Sequence, residues 1–240
     1  MLQHILDKLN EKKDSLFAIF LIWVFLGSVL FAWMVFFWVP SDAKQGVAQR
    51  IFYYHVPTAL VSFLGFFIAF IYSILYLKKR DLSYDRKAAV YAITGWVFTT
   101  GVLLTGPLWA KPIWGDFWNW KDQRLISFFV LWLMYAGYMI FRAGIVEPHK
   151  RARFSAVLGI IAFLDVPLVY FSIRIWNTAV HPQAILATTN KKAGLFDPSM
   201  KITFFFGMFL FLCMFFITVW VASRHYLVKQ MQAEKEAEEN

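Results

Sequence analysis

Two histidines are the side chains of this chain best suited to bind a metal. His55 occurs in Arg50-Ile-Phe-Tyr-Tyr-His-Val-Pro, and His181 occurs in Trp176-Asn-Thr-Ala-Val-His-Pro. Imidazole is a strong ligand for haem iron, and one imidazole on each side of a porphyrin gives a six-coordinate site. The spacing alone does not exclude two interfacial histidines bound to water or backbone, because a pair of histidines is a weak motif.

A tryptophan-rich segment at residues 109–124 is the second feature that could bind a ligand. It holds four tryptophans within twelve residues, namely Trp109, Trp114, Trp118 and Trp120. Trp and Tyr do gather singly at the headgroup level of a membrane. A connected cluster with interleaved charges is more typical of a platform for a flat, largely apolar ligand that has an anionic edge.

Other metal sites fit the sequence less well than a haem site. A structural zinc site needs four ligands, commonly including cysteines, and Cys213 is the only cysteine. It lies inside a long apolar run, where it is typical of a small core residue. The sequence contains no Cys-x-x-Cys-His motif, so a bound haem would be held non-covalently.

Membrane helices are the elements that must position these residues. The chain is 60% hydrophobic and only 16% charged, which lies outside the range of ordinary soluble domains. Six apolar stretches are long enough to cross a hydrocarbon core, which takes about 18–20 helical residues. They are residues 15–39, 56–77, 88–110, 125–146, 154–173 and 202–223. The sequence therefore predicts an all-α polytopic membrane protein, with residues 1–240 forming a single domain of six transmembrane helices.

The distribution of Lys and Arg predicts the orientation of these helices. With a cytoplasmic N-terminus, 15 of the 24 basic residues fall on the cytoplasmic side, which favours both termini inside. Much of the net charge of +9 is this topology signal, so nucleic acid is not an expected partner. The acidic tail at residues 229–240 is then a cytoplasmic helix extension or a disordered end.

Three long connections would lie on the outer side, at residues 40–55, 109–124 and 174–200. Connections longer than the fold requires tend to carry function. Their arginines, Arg50, Arg124 and Arg174, could pair with the carboxylates of a ligand, because a guanidinium presents a planar fork. Snorkelling at the membrane interface is an equal alternative for Arg174.

Rival functional classes find less support in the sequence. No catalytic acid–base pair or nucleophile stands out, so the chain is not expected to be an enzyme. A di-haem cytochrome b needs four histidines at two depths, and a permease usually shows polar residues within the membrane or internal repeats. Asp165 is the sole charged residue well inside a predicted span, and we interpret it as bonding a neighbouring helix or the backbone freed by Pro167.

Several motifs resemble those of a known family. Gly106-Pro-Leu-Trp-Ala-Lys-Pro-Ile-Trp-Gly, followed by Trp118-Asn-Trp-Lys-Asp-Gln-Arg-Leu, resembles the tryptophan-rich "WWD" segment of haem-handling membrane proteins. Within that group the chain is most similar to the haem exporter protein C family of bacterial cytochrome c maturation. The resemblance extends to the Arg50 motif, to Asp165-Val-Pro, and to the segment that ends at His181. It covers essentially the whole chain.

The resemblance implies a cargo, a site and partners. Haem b would be held on the outer face of the bacterial inner membrane, with His55 and His181 as its axial ligands. The tryptophan-rich loop would support the porphyrin through Trp114, Gly115, Trp118, Trp120 and Asp122. A membrane-anchored periplasmic haem chaperone would receive the haem, and the ATPase and permease of an ABC transporter and a small membrane subunit would be further partners. The alternative is an integral-membrane subunit of an ABC-type haem or solute exporter without a haem site of its own.

The chain departs from the family pattern at three points. Lys121 is an additional residue between Trp120 and Asp122, and the stretch that leads to His181 is also one residue longer. Phe117 stands where the family often has another tryptophan. The insertion leaves the role of Asp122 open.

Overall fold

The computed structural model describes residues 2–42, 45–176 and 197–239. These ranges contain seven α-helices: α1 Leu2–Trp33, α2 Phe52–Lys79, α3 Leu82–Trp114, α4 Gln123–Ala143, α5 Pro148–Phe163, α6 Asp165–Trp176 and α7 Pro198–Glu239. A π-helical turn, Met34–Trp38, extends α1, and a 3₁₀ helix, Val47–Ile51, leads into α2. Most of the third predicted outer connection, with His181, lies outside the described residues.

Six spans in the described part of the chain are long and apolar enough to cross a membrane. They are Asp14–Trp38, Val47–Lys79, Leu82–Trp114, Gln123–Ala143, Pro148–Ser172 and Pro198–Tyr226. This confirms the predicted all-α membrane architecture, because each predicted apolar stretch falls largely within one span. The placement of both termini in the cytoplasm stays a prediction.

Carboxylates at the start of several helices explain where those helices begin. Asp81 accepts a hydrogen bond from the Ser83 amide at 2.8 Å at the start of α3, and Glu147 accepts from the His149 amide at 2.8 Å at the start of α5. Such caps satisfy amide groups that have no partner within the helix. The hydrogen bond from Ser83 also holds the pKa of Asp81 below its usual range.

Helices α2 and α3 form the closest-packed pair, and two glycines permit their approach. A Cβ atom added at Gly65 would lie 2.9 Å from the Gly95 Cα, so the two backbones meet where a side chain cannot fit. Small residues allow membrane helices to approach in this way. Phe66 completes the layer by stacking on Tyr135 of α4, with 3.7 Å between ring centroids. The contact between Gly65 and Gly95 fixes α2 against α3, and His55 lies on the same helix as Gly65.

Replacing Gly95 with alanine is expected to destabilise the protein, whereas the same change at Gly137 is expected to be harmless. The new Cβ at Gly95 would lie 2.7 Å from the Phe66 ring, which the stack on Tyr135 prevents from moving. Overpacking of this kind costs about 1–3 kcal/mol. No atom lies within 4 Å of the corresponding position at Gly137. Thermal unfolding in detergent measures both variants, and equal melting temperatures would contradict the close contact.

The fifth span is interrupted rather than continuous. It begins at Pro148, and its helix stops at Phe163 before resuming at Asp165. The break follows from Pro167, which has no amide hydrogen to continue the helical bonding. Asp165 was expected to bond a neighbouring helix or the backbone freed by Pro167. Its Oδ2 atom is instead buried without a partner in the described part of the chain, so the bond is not made by that oxygen.

A buried ion pair ties α3 to α4 at the end of the bundle opposite His55. Arg142 donates from Nη1 and Nη2 to the two carboxylate oxygens of Asp85, each at 2.6 Å. Only 6% of Arg142 and 3% of Asp85 is exposed. A bidentate pair of this kind is geometrically specific. Arg142 is one of the 15 basic residues on the predicted cytoplasmic side, and nothing in its sequence position indicates this contact.

Candidate functional site

The tryptophan-rich segment is shorter as a loop than the sequence predicts. Residues Trp109 to Trp114 belong to α3, which continues past Pro112 and ends at Gly115. Gly115 adopts φ +87°, a left-handed conformation that favours glycine, and its amide donates to the Lys111 carbonyl at 3.0 Å. The loop proper is therefore residues 115–122, and Gly115 has a structural role in ending the helix.

His55 lies in a helix and not in an extended loop. The predicted outer connection at residues 40–55 ends earlier, because α2 begins at Phe52. The residue before a proline usually favours extended backbone, but helix α2 runs through Pro57. Phe52 is buried and stacks on Phe204 of α7 at 5.3 Å, and this packing overrides the local preference. His55 is thus held on a rigid element.

Three residues of α3 surround the His55 imidazole. Its Nδ1 atom lies 2.9 Å from the Thr105 hydroxyl, and its ring meets the Trp109 indole edge to face, with centroids 5.5 Å apart. A Cβ atom added at Gly106 would lie 3.4 Å from Cε1 of the imidazole, so the absent side chain leaves room along that edge. Since Nδ1 is engaged, coordination of a metal would use Nε2, as in most metal-binding histidines with an ordered outer partner.

Trp109 links this site to the first outer connection. Its Nε1 donates to Gln45 Oε1 at 3.0 Å. The backbone amide of Gln45 in turn donates to the Asp42 carboxylate at 2.7 Å. Trp109 was predicted to belong to the outer loop, whereas the structure makes it part of α3 and a neighbour of His55.

Trp118 and Trp120 form a cluster against α4. Trp118 and Trp120 meet edge to face at 5.6 Å, and each lies 6.1 Å from Phe129. Phe129 stacks on Trp132, which stacks on Trp96 of α3. Trp120 is 67% exposed, so the cluster presents an open aromatic surface at the Trp120 end and is anchored between α3 and α4 at the Trp96 end.

Three buried polar atoms in the 3₁₀ helix before α2 and in the loop after α3 have no hydrogen-bond partner in the described part of the chain. They are Gln49 Oε1, Arg50 Nε and Trp118 Nε1. Buried polar groups are normally paired, so these atoms are suited to bind a polar group of a ligand. The Arg50 guanidinium also lies 5.9 Å from the Phe36 ring. Sequence reasoning selected Arg50 and Trp118 but missed Gln49, which nothing in the one-dimensional pattern distinguishes.

Two predicted site residues cannot be located with their partners. His181 lies outside the described residues, and the side chain of Arg174 lies outside them as well. Arg124 lies in the first turn of α4 and is partly buried. In the described ranges no group of three or more His, Cys, Asp or Glu residues could hold a metal ion.

A family model decides the relationship of this chain to known proteins. The model described as "Heme exporter protein C" matches residues 7–238. The chain belongs to the heme exporter protein C family. The resemblance stated from the motifs is therefore confirmed over nearly the full length.

Individual members of the heme exporter protein C family show the same relationship. The chain is 37% identical to "Heme exporter protein C" of Bradyrhizobium diazoefficiens over 147 residues, covering 61% of this chain and 56% of that protein. It is 31% identical to the Escherichia coli K12 protein of the same name over 202 residues, covering 80% and 78%. It is also 33% identical to the "Putative cytochrome c biosynthesis ccmC-like mitochondrial protein" of Marchantia polymorpha, covering 75% and 72%.

Asp122 of the tryptophan-rich motif has a structural role in this family member. It is 3% exposed, and its carboxylate caps α4 by accepting a hydrogen bond from the Leu125 amide at 3.0 Å. Its own amide donates to the Asn119 carbonyl at 3.1 Å. The extra residue Lys121 is accommodated in this turn, where its amide donates to the Asn119 side chain at 2.9 Å.

Replacing Asp122 with alanine is therefore expected to lower the free energy of unfolding by about 0.5–2 kcal/mol, the usual cost of a lost N-cap. Asp122→Asn should stay close to the parent, because the amide oxygen of asparagine also caps helices. Thermal unfolding of the two variants in detergent checks this. A destabilised Asp122→Asn variant would show that the charge, and not the cap, is what the fold requires.

Proposed function

We propose that this chain binds haem at the outer ends of α2 and α3 and delivers it for cytochrome c maturation. Membership of the heme exporter protein C family, and a relative named for cytochrome c biosynthesis, support a role in haem handling. One structural observation supports this location of the site: Thr105 contacts His55 through Nδ1, and the imidazole lies beside Gly106 and Trp109. An imidazole held in this way can offer Nε2 to iron.

The iron would be held by two imidazoles. His55 supplies one ligand from the first turns of α2, and His181 supplies the other from the segment between α6 and α7. Two histidines give a six-coordinate haem. Haem b is the type expected, because the sequence lacks the Cys-x-x-Cys-His motif of thioether attachment.

The propionates would pair with basic residues at the outer helix ends. Arg50 is the strongest candidate, because its Nε is buried without a partner and a guanidinium suits a carboxylate. Arg124 and Arg174 are the further candidates from the second and third outer segments. The three arginines therefore supply a positive charge for each propionate.

The porphyrin face and edge would contact the tryptophan-rich loop. Trp118 and Trp120 offer an aromatic surface that is partly open, and Trp114 with Gly115 leads into it from α3. Aromatic side chains bury large apolar area, so such a surface stabilises a hydrophobic ligand without enclosing it. Asp122 contributes by holding the start of α4 in place.

Delivery requires the site to face the periplasm from the bacterial inner membrane. The Lys and Arg distribution supports this orientation. The recipient we propose is a membrane-anchored periplasmic haem chaperone. The ATPase and permease subunits of an ABC transporter and a small membrane subunit are the other proposed partners.

A transfer assay tests the proposal as a whole. The full chain is loaded with hemin in detergent, excess hemin is removed, and haem-free periplasmic chaperone is added before the two proteins are separated. We expect haem to move to the chaperone faster from the loaded protein than from hemin in empty micelles. Equal rates would contradict delivery, and a chain that retains no haem would indicate a membrane subunit of an exporter without its own haem site.

A further inference from the structure

We propose that Thr105 is a positioning residue that sets the tautomer of His55 and so makes Nε2 the ligand atom. This inference deepens the proposed haem site and rests on it. Thr105 lies on α3 and His55 lies on α2, fifty residues apart in the sequence. No local sequence motif therefore predicts this contact.

The hydroxyl group of Thr105 has a single hydrogen, and α3 already provides acceptors for it. Thr105 Oγ1 lies 2.8 Å from the Gly101 carbonyl oxygen and 3.3 Å from that of Val102. Donation to the carbonyl one turn earlier is the usual bond of a helical threonine. With its hydrogen directed there, Oγ1 can only accept from His55 Nδ1 at 2.9 Å.

Helix α3 contains a second threonine, Thr100, whose hydroxyl group has only one possible assignment of donor and acceptor roles. Thr100 Oγ1 lies 2.9 Å from Trp132 Nε1, and an indole N–H is a donor only. The Thr100 hydroxyl therefore accepts from the ring and directs its hydrogen to the Trp96 carbonyl at 2.9 Å. Thr105 has the same arrangement, with an imidazole in place of the indole.

The consequence for His55 is a defined proton position. A neutral imidazole carries one hydrogen, and donation from Nδ1 leaves Nε2 as the atom with a lone pair. The chain of bonds from Nδ1–H through Oγ1–H to the Gly101 carbonyl polarises in one direction. It therefore increases the electron density at Nε2, which strengthens a bond from Nε2 to iron.

Thr105 also limits the rotation of the imidazole. Its branched side chain has restricted χ1 freedom, and the Trp109 ring packs edge to face against the imidazole, with centroids 5.5 Å apart. A Cβ atom added at Gly106 would lie 3.4 Å from Cε1, the ring carbon bonded to both nitrogens. The ring is therefore oriented before any ligand arrives, which lowers the entropy cost of coordination.

Two substitutions separate the hydrogen bond from the shape of the side chain. Thr105→Val keeps the branched shape and removes the hydroxyl, whereas Thr105→Ser keeps the hydroxyl. We expect Thr105→Val to raise the Kd for hemin about 10–100-fold, the usual effect of losing an outer partner of a metal-binding histidine. It should also raise the iron reduction potential, because a less basic ligand stabilises the ferric state less. Thr105→Ser should keep the hemin Kd and the iron reduction potential close to the parental values.

Thr100→Val is the matched control, since it removes the analogous hydroxyl beside Trp132 and not beside His55. It should leave the hemin Kd and the reduction potential unchanged. An unchanged Kd and potential in Thr105→Val would overturn the inference. His55→Gly separates failure of the haem site from failure of the Thr105 inference. If His55→Gly binds hemin with the parental Kd, the proposed haem site is wrong. If His55→Gly loses hemin binding and Thr105→Val does not, the haem site stands and only the role of Thr105 is wrong.

A measurement on the unsubstituted chain reports the tautomer of His55 directly, and a substituted sample is needed only to assign the signal. Nitrogen NMR of the full chain labelled with ¹⁵N-histidine, in detergent and without hemin, reports which ring nitrogen carries hydrogen, and the His55→Gly sample assigns the signal. A protonated Nδ1 at neutral pH is expected. A neutral ring protonated at Nε2 would overturn the inference.

Discussion

Replacing His55 with glycine is expected to remove most of the haem-binding capacity of the purified protein. The change deletes one of two proposed iron ligands from a position that Thr105 and Trp109 hold rigidly. We expect the hemin Kd to rise on the order of 100-fold or more, because even loss of an outer partner costs 10–100-fold. Added imidazole should restore part of the six-coordinate absorption spectrum, since it can occupy the space that the side chain leaves.

The matched control for this prediction is His149→Gly. His149 is also near the start of a helix, α5, and its contact with the Tyr76 hydroxyl uses the backbone carbonyl at 3.1 Å, which glycine keeps. Hemin titration in detergent should give the parental Kd for this variant. If His55→Gly and His149→Gly behaved alike, or if imidazole restored nothing, His55 would not be an iron ligand.

Replacing Arg142 with alanine is expected to cause the largest loss of stability in the described part of the chain. It would leave the buried Asp85 carboxylate without its bidentate partner. Removal of one partner of a buried ion pair costs about 3–5 kcal/mol, because the remaining charge stays desolvated. The double variant Arg142→Ala with Asp85→Ala should recover part of this loss, since no buried charge remains.

A second ion pair in the same protein provides the control for Arg142. Arg224 donates to Asp14 at the same distance, 2.6 Å, but the two side chains are 45% and 61% exposed. Exposed pairs are worth about 0–1 kcal/mol, so Arg224→Ala should change the free energy of unfolding little. Unfolding of both variants in detergent measures the difference. Similar losses at Arg142 and Arg224 would show that burial does not determine the strength of the Arg142 pair.

The membrane architecture could be predicted from the sequence because it depends on local composition. Apolar runs of sufficient length identify spans without knowledge of their neighbours. The ends of the spans were less certain. Helix α3 continues through Pro112 to Trp114, past the end of the predicted apolar stretch at residue 110. Packing of Phe52 on Phe204 holds the start of α2 before Pro57.

The residue types of the candidate site were predictable, but their pairing was not. The contacts of His55 with Thr105 and Trp109 join segments about fifty residues apart, and they depend on how closely α2 approaches α3. The cap formed by Asp122 could have been recognised, because an aspartate directly before an apolar helical run is a standard start signal. The pair of Asp85 and Arg142 had no such signal, since each lies near a helix end and resembles a solvated charge.

The central claim, that His55 and His181 bind the iron of one haem, is tested most directly by identifying the axial ligands. The full chain is loaded with hemin, and magnetic circular dichroism in the near infrared distinguishes two imidazoles from other ligand pairs. The account predicts a ferric low-spin haem with two nitrogen ligands, which becomes high-spin or is lost when either histidine is replaced. A spectrum that shows two nitrogen ligands in the double His55→Ala, His181→Ala variant would contradict it.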